Sequence, residues 1–531
     1  MSAFILFCAV VIFICVITNK FSSKLGMPAL LFFMLLGILF GSDGIFKINF
    51  DNFELTSKLC SVCLLLIIFY GGFCTKKPEN VKVGMMAGVL SSFATLVTAF
   101  LTALFCHFVL KISFIESFLI GAVLSSTDAA SVFSILRSKK LNLKYHTATL
   151  LEVESGSNDP FAYMLTVIGL MLINNSGSLN VGGMLVLQIG LGILFGILIA
   201  KFAIFVFKKT KLIQEGYDYL FLLAVALASF SLPDLFGGNG YLSVYLTGII
   251  LGNSEIKNKI NLVYFFDGLE QLSQVLIFFL LGLLSLPHKF FQILVPTSLI
   301  FLFLTFIARP IAVFLSMKPF RAKFRQIIFV SMAGLRGAAS IVFAIMVVAG
   351  AKKFDFDIFH SVFFICLASV ALQGSILPYL AKKLNMIDKY SDVLKTFNDY
   401  QKESAITLSK FKVKDDNPWL NMQVKDINLP KDVLILLIKR DGNKIVPKGD
   451  TVILSGDVVL LGSSVVHSNS DIKLREMEIN ETHKWKNKKI KDIEFQPDFL
   501  IALIKRNKTS FVPNGDTILL EGDIVVFYMA S

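Results

Sequence analysis

The chain has 531 residues, 55% of them hydrophobic, with 52 phenylalanines and a formal net charge of +13. A mean hydropathy of +0.71 excludes a soluble globular protein of this length, and the apolar residues recur in runs of about 20, the length that crosses a bilayer as helix. The basic excess could suggest nucleic acid, but its distribution along the chain argues for another cause.

Thirteen apolar spans are predicted, near residues 3–19, 28–42, 58–74, 83–110, 115–136, 147–173, 184–207, 217–233, 240–253, 267–285, 290–317, 325–350 and 358–381. The first, Phe4 to Ile17, has no basic residue before it and no small-residue cleavage site after it, so it reads as a retained span, not a signal peptide. Loops after odd-numbered spans carry 18 basic residues, among them Lys76, Lys77, Lys139, Lys140, Lys211 and Lys257. Loops after even-numbered spans carry 6, including Lys352 and Lys353. Positive charge marks the cytoplasmic side, which puts the N-terminus outside and everything after span thirteen inside. The charge is therefore mostly topological, and no nucleic-acid partner is expected. Seven cysteines (Cys8, Cys15, Cys60, Cys63, Cys74, Cys106 and Cys366) lie in or beside apolar runs and read as buried small hydrophobes.

Charge at bilayer depth is costly and marks function. Span five holds "LSSTDAAS", with Ser125, Ser126, Thr127 and Asp128 near its centre. Span six holds "LEVESGSNDPFAYMLT" (151–166), which places Glu152, Glu154 and Asp159 among apolar neighbours. Span twelve holds "SMAGLRGAAS", with Arg336 between Gly334 and Gly337. On a helix, Ser155 and Asp159 share one face, and Glu154 and Asn158 share another. A carboxylate in low dielectric holds its proton more tightly, which allows a choice between proton and cation near neutral pH. Arg336 stays ionised and needs an anion at its depth, from Glu154 or Asp128. Spans five and twelve are seven apart and so run in opposite directions, each interrupted near the midplane. This is the trace of an inverted repeat with two broken helices crossing at a central site. There, half-helix N-termini favour a carboxylate and C-termini a cation, roles that suit Asp128 and Arg336. Blander readings compete. The span-five hydroxyls could bond back to their own helix, Glu152 could be a solvated funnel residue, and Arg309-Pro310 reads as a kink with a structural cation.

Beyond residue 385 the character changes. Residues 386–415 read as a polar linker, followed by a repeat with a constant offset of 66: "WLNMQVKDINLPKDVLILLIKRDGNKIVPKGDTVILSGDVVLL" (419–461) aligns without gaps to "WKNKKIKDIEFQPDFLIALIKRNKTSFVPNGDTILLEGDIVVF" (485–527). Trp419 falls on Trp485, and Gly456-Asp457 on Gly522-Asp523. Short β-branched strands between Gly, Asp and Pro turns make each copy a small β-rich domain. The expected fold is thus an α-helical polytopic membrane protein of about 13 transmembrane helices, with inverted repeats and two broken helices (1–385). A pair of small α/β domains follows (416–465 and 482–531).

At "STD" (126–128), "ESGSND" (154–159) and "GLRGA" (334–338) the chain resembles the monovalent cation:proton antiporter superfamily, specifically its first branch, the NhaP-type Na+/H+ and K+/H+ exchangers of bacteria. The resemblance covers about residues 1–385. It implies that Asp159 is the shared proton/cation carboxylate and that Thr127 (through its main chain), Asp128 and Ser155 complete the ion site. Glu154 and Arg336 would form a structural ion pair beside Asn158, and Asn158-Asp159 looks like the signature of electroneutral exchange. The chain departs from the pattern at "IIFYGGF", where Tyr70 takes a position that is acidic in many members, so the site is read as lacking an auxiliary carboxylate. The tail repeats look like the RCK-C (TrkA-C) subdomain of potassium-conductance regulators, which shifts the preferred cation from Na+ towards K+. In some relatives that subdomain binds cyclic di-AMP, a regulatory nucleotide for which no motif is present here. The resemblance as a whole implies an electroneutral K+/H+ antiporter of the bacterial inner membrane, not an enzyme. It would work by alternating access as a homodimer in the lipid bilayer, without a covalently bound cofactor and under control of its cytoplasmic tail. Na+/H+ exchange is the alternative. A ligand-gated cation channel is disfavoured, because no TVGYG-like carbonyl filter is present.

Overall fold

The structure, a computed structural model, describes residues 2–25, 28–75, 81–138, 141, 143–174, 181–209, 216–256, 259–350, 354–387, 406–413, 417–429, 433–440, 443–464, 474–479, 483–493, 499–506, 509–511, 513 and 515–529. The loop lysines Lys76, Lys77, Lys139, Lys140, Lys211, Lys257, Lys352 and Lys353, on which the orientation partly rests, lie outside the described residues. So do 388–405 and 414–415 of the predicted linker. The chain divides into two compact units, Met1–Lys402 and Glu403–Ser531.

Each of the thirteen predicted apolar stretches is helical. In chain order they are α1 (Ser2–Leu25), α2 (Ala29–Phe40), α3 (Phe53–Cys74), α4 (Val81–Phe108), α5 (Phe114–Ser125 and Ala129–Ser138), α6 (Thr147–Ile173) and α7 (Val181–Lys209). There follow α8 (Asp218–Leu235), α9 (Gly240–Gly252), α10 (Lys259–Leu284), α11 (Pro287–Phe320), α12 (Phe324–Met332 and Ala338–Gly350) and α13 (Ile358–Lys383). Among the described residues, seven of these (α3, α4, α7, α8, α10, α11 and α13) are long and apolar enough to cross a membrane. The expectation of about 13 spans therefore includes short and broken helices that length alone does not mark as crossing. Several starts carry side-chain caps: Asn52 accepts from Leu55 N–H at 2.9 Å, Asn239 from Leu242 N–H at 3.0 Å, and Asp357 from His360 N–H at 3.2 Å.

The interruptions follow a pattern. Helices α5 and α12 are broken outright, and α4, α11 and α13 carry single π-turns at Leu90–Ala94, Leu304–Ala308 and Ser369–Gln373. Helices α4 and α11, like α5 and α12, stand seven apart in order, and the members of each couple are interrupted alike. Packing divides the helices into two groups. Helix α3 packs on α9 and α10, α10 on α2, and α7 on α8 and α9. The backbones of α3 and α9 meet at Gly72 and Gly248; a Cβ on Gly72 would lie 2.6 Å from the Tyr245 carbonyl, and one on Gly248 2.7 Å from that of Phe69. In the other group, α4 packs on the first half of α5, on α6 and on α11. The second half of α12 touches both groups, packing on α3, α5 and α13.

The tail unit holds two four-stranded antiparallel sheets built alike. Strands β1 (Ile406–Lys412), β2 (Val433–Arg440), β3 (Asn443–Ile445) and β4 (Val458–Ser464) run in the order β1-β4-β2-β3. Strands β5 (Leu474–Glu478), β6 (Phe499–Arg506), β7 (Thr509–Phe511) and β8 (Ile524–Met529) run β5-β8-β6-β7. Even the irregularity repeats, with a register shift at Ile435/Leu437 in one sheet and at Ile501/Leu503 in the other. Ile438, Ile453 and Val459 fill the first core, and Ile504, Leu519 and Val525 the second. Strand β1 lies inside the stretch read as linker, so the first repeat begins before residue 416. Its polar residues alternate as in a half-exposed strand, a pattern that composition alone does not separate from a linker.

Candidate functional site

Breaking a helix frees carbonyls at the end of one half and N–H groups at the start of the next. In α5 the break spans Ser126, Thr127 and Asp128; in α12 it spans 333–337. The two breaks meet, and Asp128 N–H donates to the Leu335 carbonyl at 2.8 Å. Asp128 sits just before the second half of α5, where its carboxylate accepts from Ser131 N–H at 3.4 Å and Ser131 Oγ at 2.5 Å, a cap on that half-helix. Arg336 serves the opposite terminus, Nη1 donating at 2.6 Å to the carbonyl of Ser126, the C-cap of the first half. This contact depends on Gly337. A Cβ there would fall 2.4 Å from both Cβ and Oδ2 of Asp128, so only glycine lets the two breaks lie this close.

Helix α6 lays its polar face against the α5 break. Ser155 Oγ donates to the Thr127 carbonyl at 2.8 Å, Asn158 Nδ2 to Thr127 Oγ1 at 2.5 Å, and Ser126 Oγ to Asp159 Oδ1 at 2.5 Å. The shared helical face of Ser155 and Asp159 thus becomes one contact line. Pro160 follows directly; lacking an N–H, it leaves the Gly156 carbonyl without its helical partner. Asp128, Thr127, Ser155 and Asp159 border one cavity of about 90 Å3, together with Ser126 and Gly156. Its oxygens are carboxylate, hydroxyl and carbonyl, hard donors of the kind that hold alkali and other hard cations. Among the described residues, Asp159 forms no ion pair.

Two expectations change. Arg336 does not pair with Glu154, nor does it take Asp128. Glu154 is bonded instead to Arg309 Nη2 of α11, and both side chains are 1% exposed. The reason is geometric: the face of α6 that carries Glu154 lies towards α11, while Arg336 is taken up by a carbonyl freed by the α5 break. The reading of Arg309 as a structural cation thus gains its anion. Nε of Arg309 packs where a Cβ on Gly334 would come within 2.7 Å. The second change concerns Tyr70. Its hydroxyl donates to Asp267 Oδ1 of α10 at 2.9 Å, and the cavity holds further carboxylates, Glu152 of α6 and Glu270 of α10. An acidic group missing from α3 therefore does not leave the cavity without one. Of the span-five hydroxyls, Ser125 bonds back to its own helix at the Ala122 carbonyl, whereas Ser126 does not. The sequence signal for Ser126 was its place in "STD"; for Glu270 it was a carboxylate inside an apolar span.

Broken helices crossing beside a carboxylate-lined cavity fit a secondary transporter, and similarity to known proteins assigns the chain to that class. A family model described as sodium/hydrogen exchanger, transmembrane, matches residues 9–383, and one for the TrkA-C domain matches 408–464 and again 474–531. The chain belongs to the sodium/hydrogen exchanger family and carries tandem TrkA-C (RCK-C) domains; at family level it is a monovalent cation/proton antiporter working by alternating access, not an enzyme. The K(+)/H(+) antiporter NhaP of Alkalimonas amylolytica is 32% identical over 452 residues, 84% of this chain and 78% of that one. The K(+)/H(+) antiporter NhaP2 of Shewanella sp. (strain MR-4) is 29% identical over 458 residues, 85% of this chain and 79% of that one. In fold, the membrane unit resembles the solved sodium proton antiporter MjNhaP1 from Methanocaldococcus jannaschii, with a TM-score of 0.63 at 23% identity, covering 72% of this chain and 98% of that one.

Proposed function

We propose that this protein exchanges a cytoplasmic monovalent cation for an external proton, one for one, with both competing for Asp159. The observation that carries this reading is that Asp159 borders the cavity and is held by the Ser126 hydroxyl, not by an arginine. A hydroxyl can donate to an ionised carboxylate or accept from a protonated one, so neither state is left unsatisfied. When the carboxylate is ionised, Asp159, Asp128, the Thr127 main chain and Ser155 offer oxygens to a dehydrated cation. When it is protonated, its negative charge in the site is lost and the cation leaves. Asn158, Glu154, Arg309 and Arg336 carry no transported ion in this scheme; they fix α6, α11 and the two breaks. A single exchangeable carboxylate supports electroneutral stoichiometry.

Two cations have support. Sodium is favoured by the description of the family model that spans the membrane unit. Potassium is favoured by the names of the relatives above, which match over 84–85% of this chain. For the tail we propose a regulatory role in the cytoplasm, with a nucleotide such as cyclic di-AMP the first ligand to screen, and for the whole protein a homodimer in the inner membrane with its N-terminus outside. Reconstitution into vesicles with an internal pH dye tests the exchange reading. Addition of Na+, K+ and Li+ in turn should move protons for at least one of them, and Asp159→Asn should abolish the signal. Cation currents without proton movement would replace exchange by conduction. Deleting 410–531 should change the pH or cation dependence without stopping exchange.

A further inference from the structure

The cavity has two walls of different origin. One is made by the breaks of α5 and α12 and by α6, and it carries Asp128 and Asp159. The other is made by α3 and α10, which pack on each other, and it carries Tyr70, Gly71 and Glu270. On α10, Asp267 and Glu270 stand three apart and so lie on one side of the helix. They are treated differently. Both oxygens of Asp267 are engaged, Oδ1 by Tyr70 Oη at 2.9 Å and Oδ2 by Gln271 Nε2 at 2.8 Å, and Asp267 does not border the cavity. Glu270 does border it. Gln274, one turn along the same helix, donates to Oε1, and among the described residues Oε2 has no protein partner and Glu270 forms no ion pair. A half-buried carboxylate at membrane depth with no basic neighbour is costly to keep. A funnel residue in free contact with water would need no such arrangement.

We propose that Glu270 is a third cation-coordinating carboxylate of this transporter, offering Oε2 to the ion from the α3–α10 wall while Asp159 and Asp128 hold it from the other. Tyr70 and Asp267 are positioning residues: their hydrogen bond ties α3 to α10 and fixes the wall on which Glu270 stands. The proposal rests on the exchange reading above and deepens it. Asp159 carries the proton, and Glu270 sets how strongly the cation is held.

The two roles separate in a kinetic test. In vesicles, Glu270→Gln should raise the half-saturating concentration of the transported cation about tenfold, a loss of ~1.4 kcal/mol of binding. Exchange at saturating cation should persist. Glu270→Asp, which keeps the charge, should recover most of the affinity, and Asp267→Asn should move it far less. A merely structural glutamate would lower the maximal rate or the yield and leave the half-saturating concentration alone; that result would overturn the proposal. Should Glu270→Gln fail to fold, the wild-type protein still decides. A hydrophobic carbodiimide should modify Glu270, and saturating Na+ or K+, but not choline, should slow the modification. Labelling indifferent to every cation rejects the assignment. A wild-type protein that moves no protons on cation addition would instead reject the exchange reading, and cation protection of Glu270 would still be measurable.

Discussion

Buried carboxylates occur in both units of this protein, and they are held in opposite ways. In the tail, Asp457 receives two parallel bonds from Arg440, Nε to Oδ1 and Nη2 to Oδ2, each 2.8 Å, plus Leu454 N–H at 2.9 Å. Asp523 repeats the arrangement with Arg506 at 2.7 and 2.6 Å and Leu520 N–H at 2.8 Å. Glu154 in the membrane unit is also held by an arginine, accepting from Arg309 Nη2. Among the described residues, Asp159 is held only by a serine hydroxyl. A bidentate guanidinium fixes the charge state of its carboxylate as well as its place, whereas a hydroxyl fixes the place and leaves the charge free. The contrast separates carboxylates that hold the fold from Asp159, the carboxylate proposed to exchange its proton.

The largest effect should come from breaking a lock inside the membrane. Arg309→Met leaves Glu154 buried and unpaired, which should cost about 3–5 kcal/mol and appear as lost folded yield on detergent gel filtration. Adding Glu154→Leu should restore most of it. If Arg309→Met alone were as stable as wild type, the contrast would fail on its structural side. Asp159→Asn should do the reverse: exchange falls at least a hundredfold, ~2.7 kcal/mol in barrier, with melting unchanged, because the amide can keep the Ser126 bond.

Smaller effects are expected in the tail, where they can be read selectively. The two tryptophans of the chain, Trp419 and Trp485, fall one in each repeat, so tryptophan fluorescence of the full-length protein follows the tail alone. Asp457→Asn or Asp523→Asn should destabilise its own repeat by about 1–3 kcal/mol. The smallest effect is that of pH. Hydrogen bonds from Arg440 hold the Asp457 carboxyl below its ordinary value, against the opposing pull of burial. For Asp523 burial is the largest single influence and pushes upward, but the Arg506 hydrogen bonds, the Leu520 N–H and the arginine's charge together outweigh it, and the carboxyl titrates low. Each group therefore stabilises the folded tail only while ionised. That contribution is complete above the unfolded value of about 3.9 and is lost as pH falls through the lower folded value. The fluorescence transition should be steady near neutrality and drop in acid below about pH 4. A tail that instead gained stability in acid would contradict the arginine locks.

Much of this was legible in the sequence, and the remainder was hidden for physical reasons. The breaks in α5 and α12 announce themselves because Ser, Thr, Asp and Gly interrupt otherwise apolar spans. The tail duplication is visible at its offset of 66 and reaches even the strand irregularity. What a linear reading does not give is partnership across packed helices. Glu154 and Arg309 are 155 residues apart, and by charge alone Arg336 was an equal claimant; only the folded arrangement, which brings Arg309 to Glu154 and Arg336 to the Ser126 carbonyl, decides between them. Glu270 was in plain view as an acid in an apolar span, but that it shares a cavity with Asp159 follows from α3 and α10 forming the second wall. Strand β1 escaped because a short polar strand gains its identity from its neighbour β4, not from its own residues.

The central claim is that proton and cation exclude one another at a single carboxylate, and binding itself tests it without any need for transport. Purified protein in weakly buffered detergent solution, held at a pH where Asp159 is partly protonated, should release protons when Na+ or K+ is added and none when choline is added. Asp159→Asn should release none with any cation. Cation binding that displaces no proton, or equal release from the Asp159→Asn protein, would contradict the account.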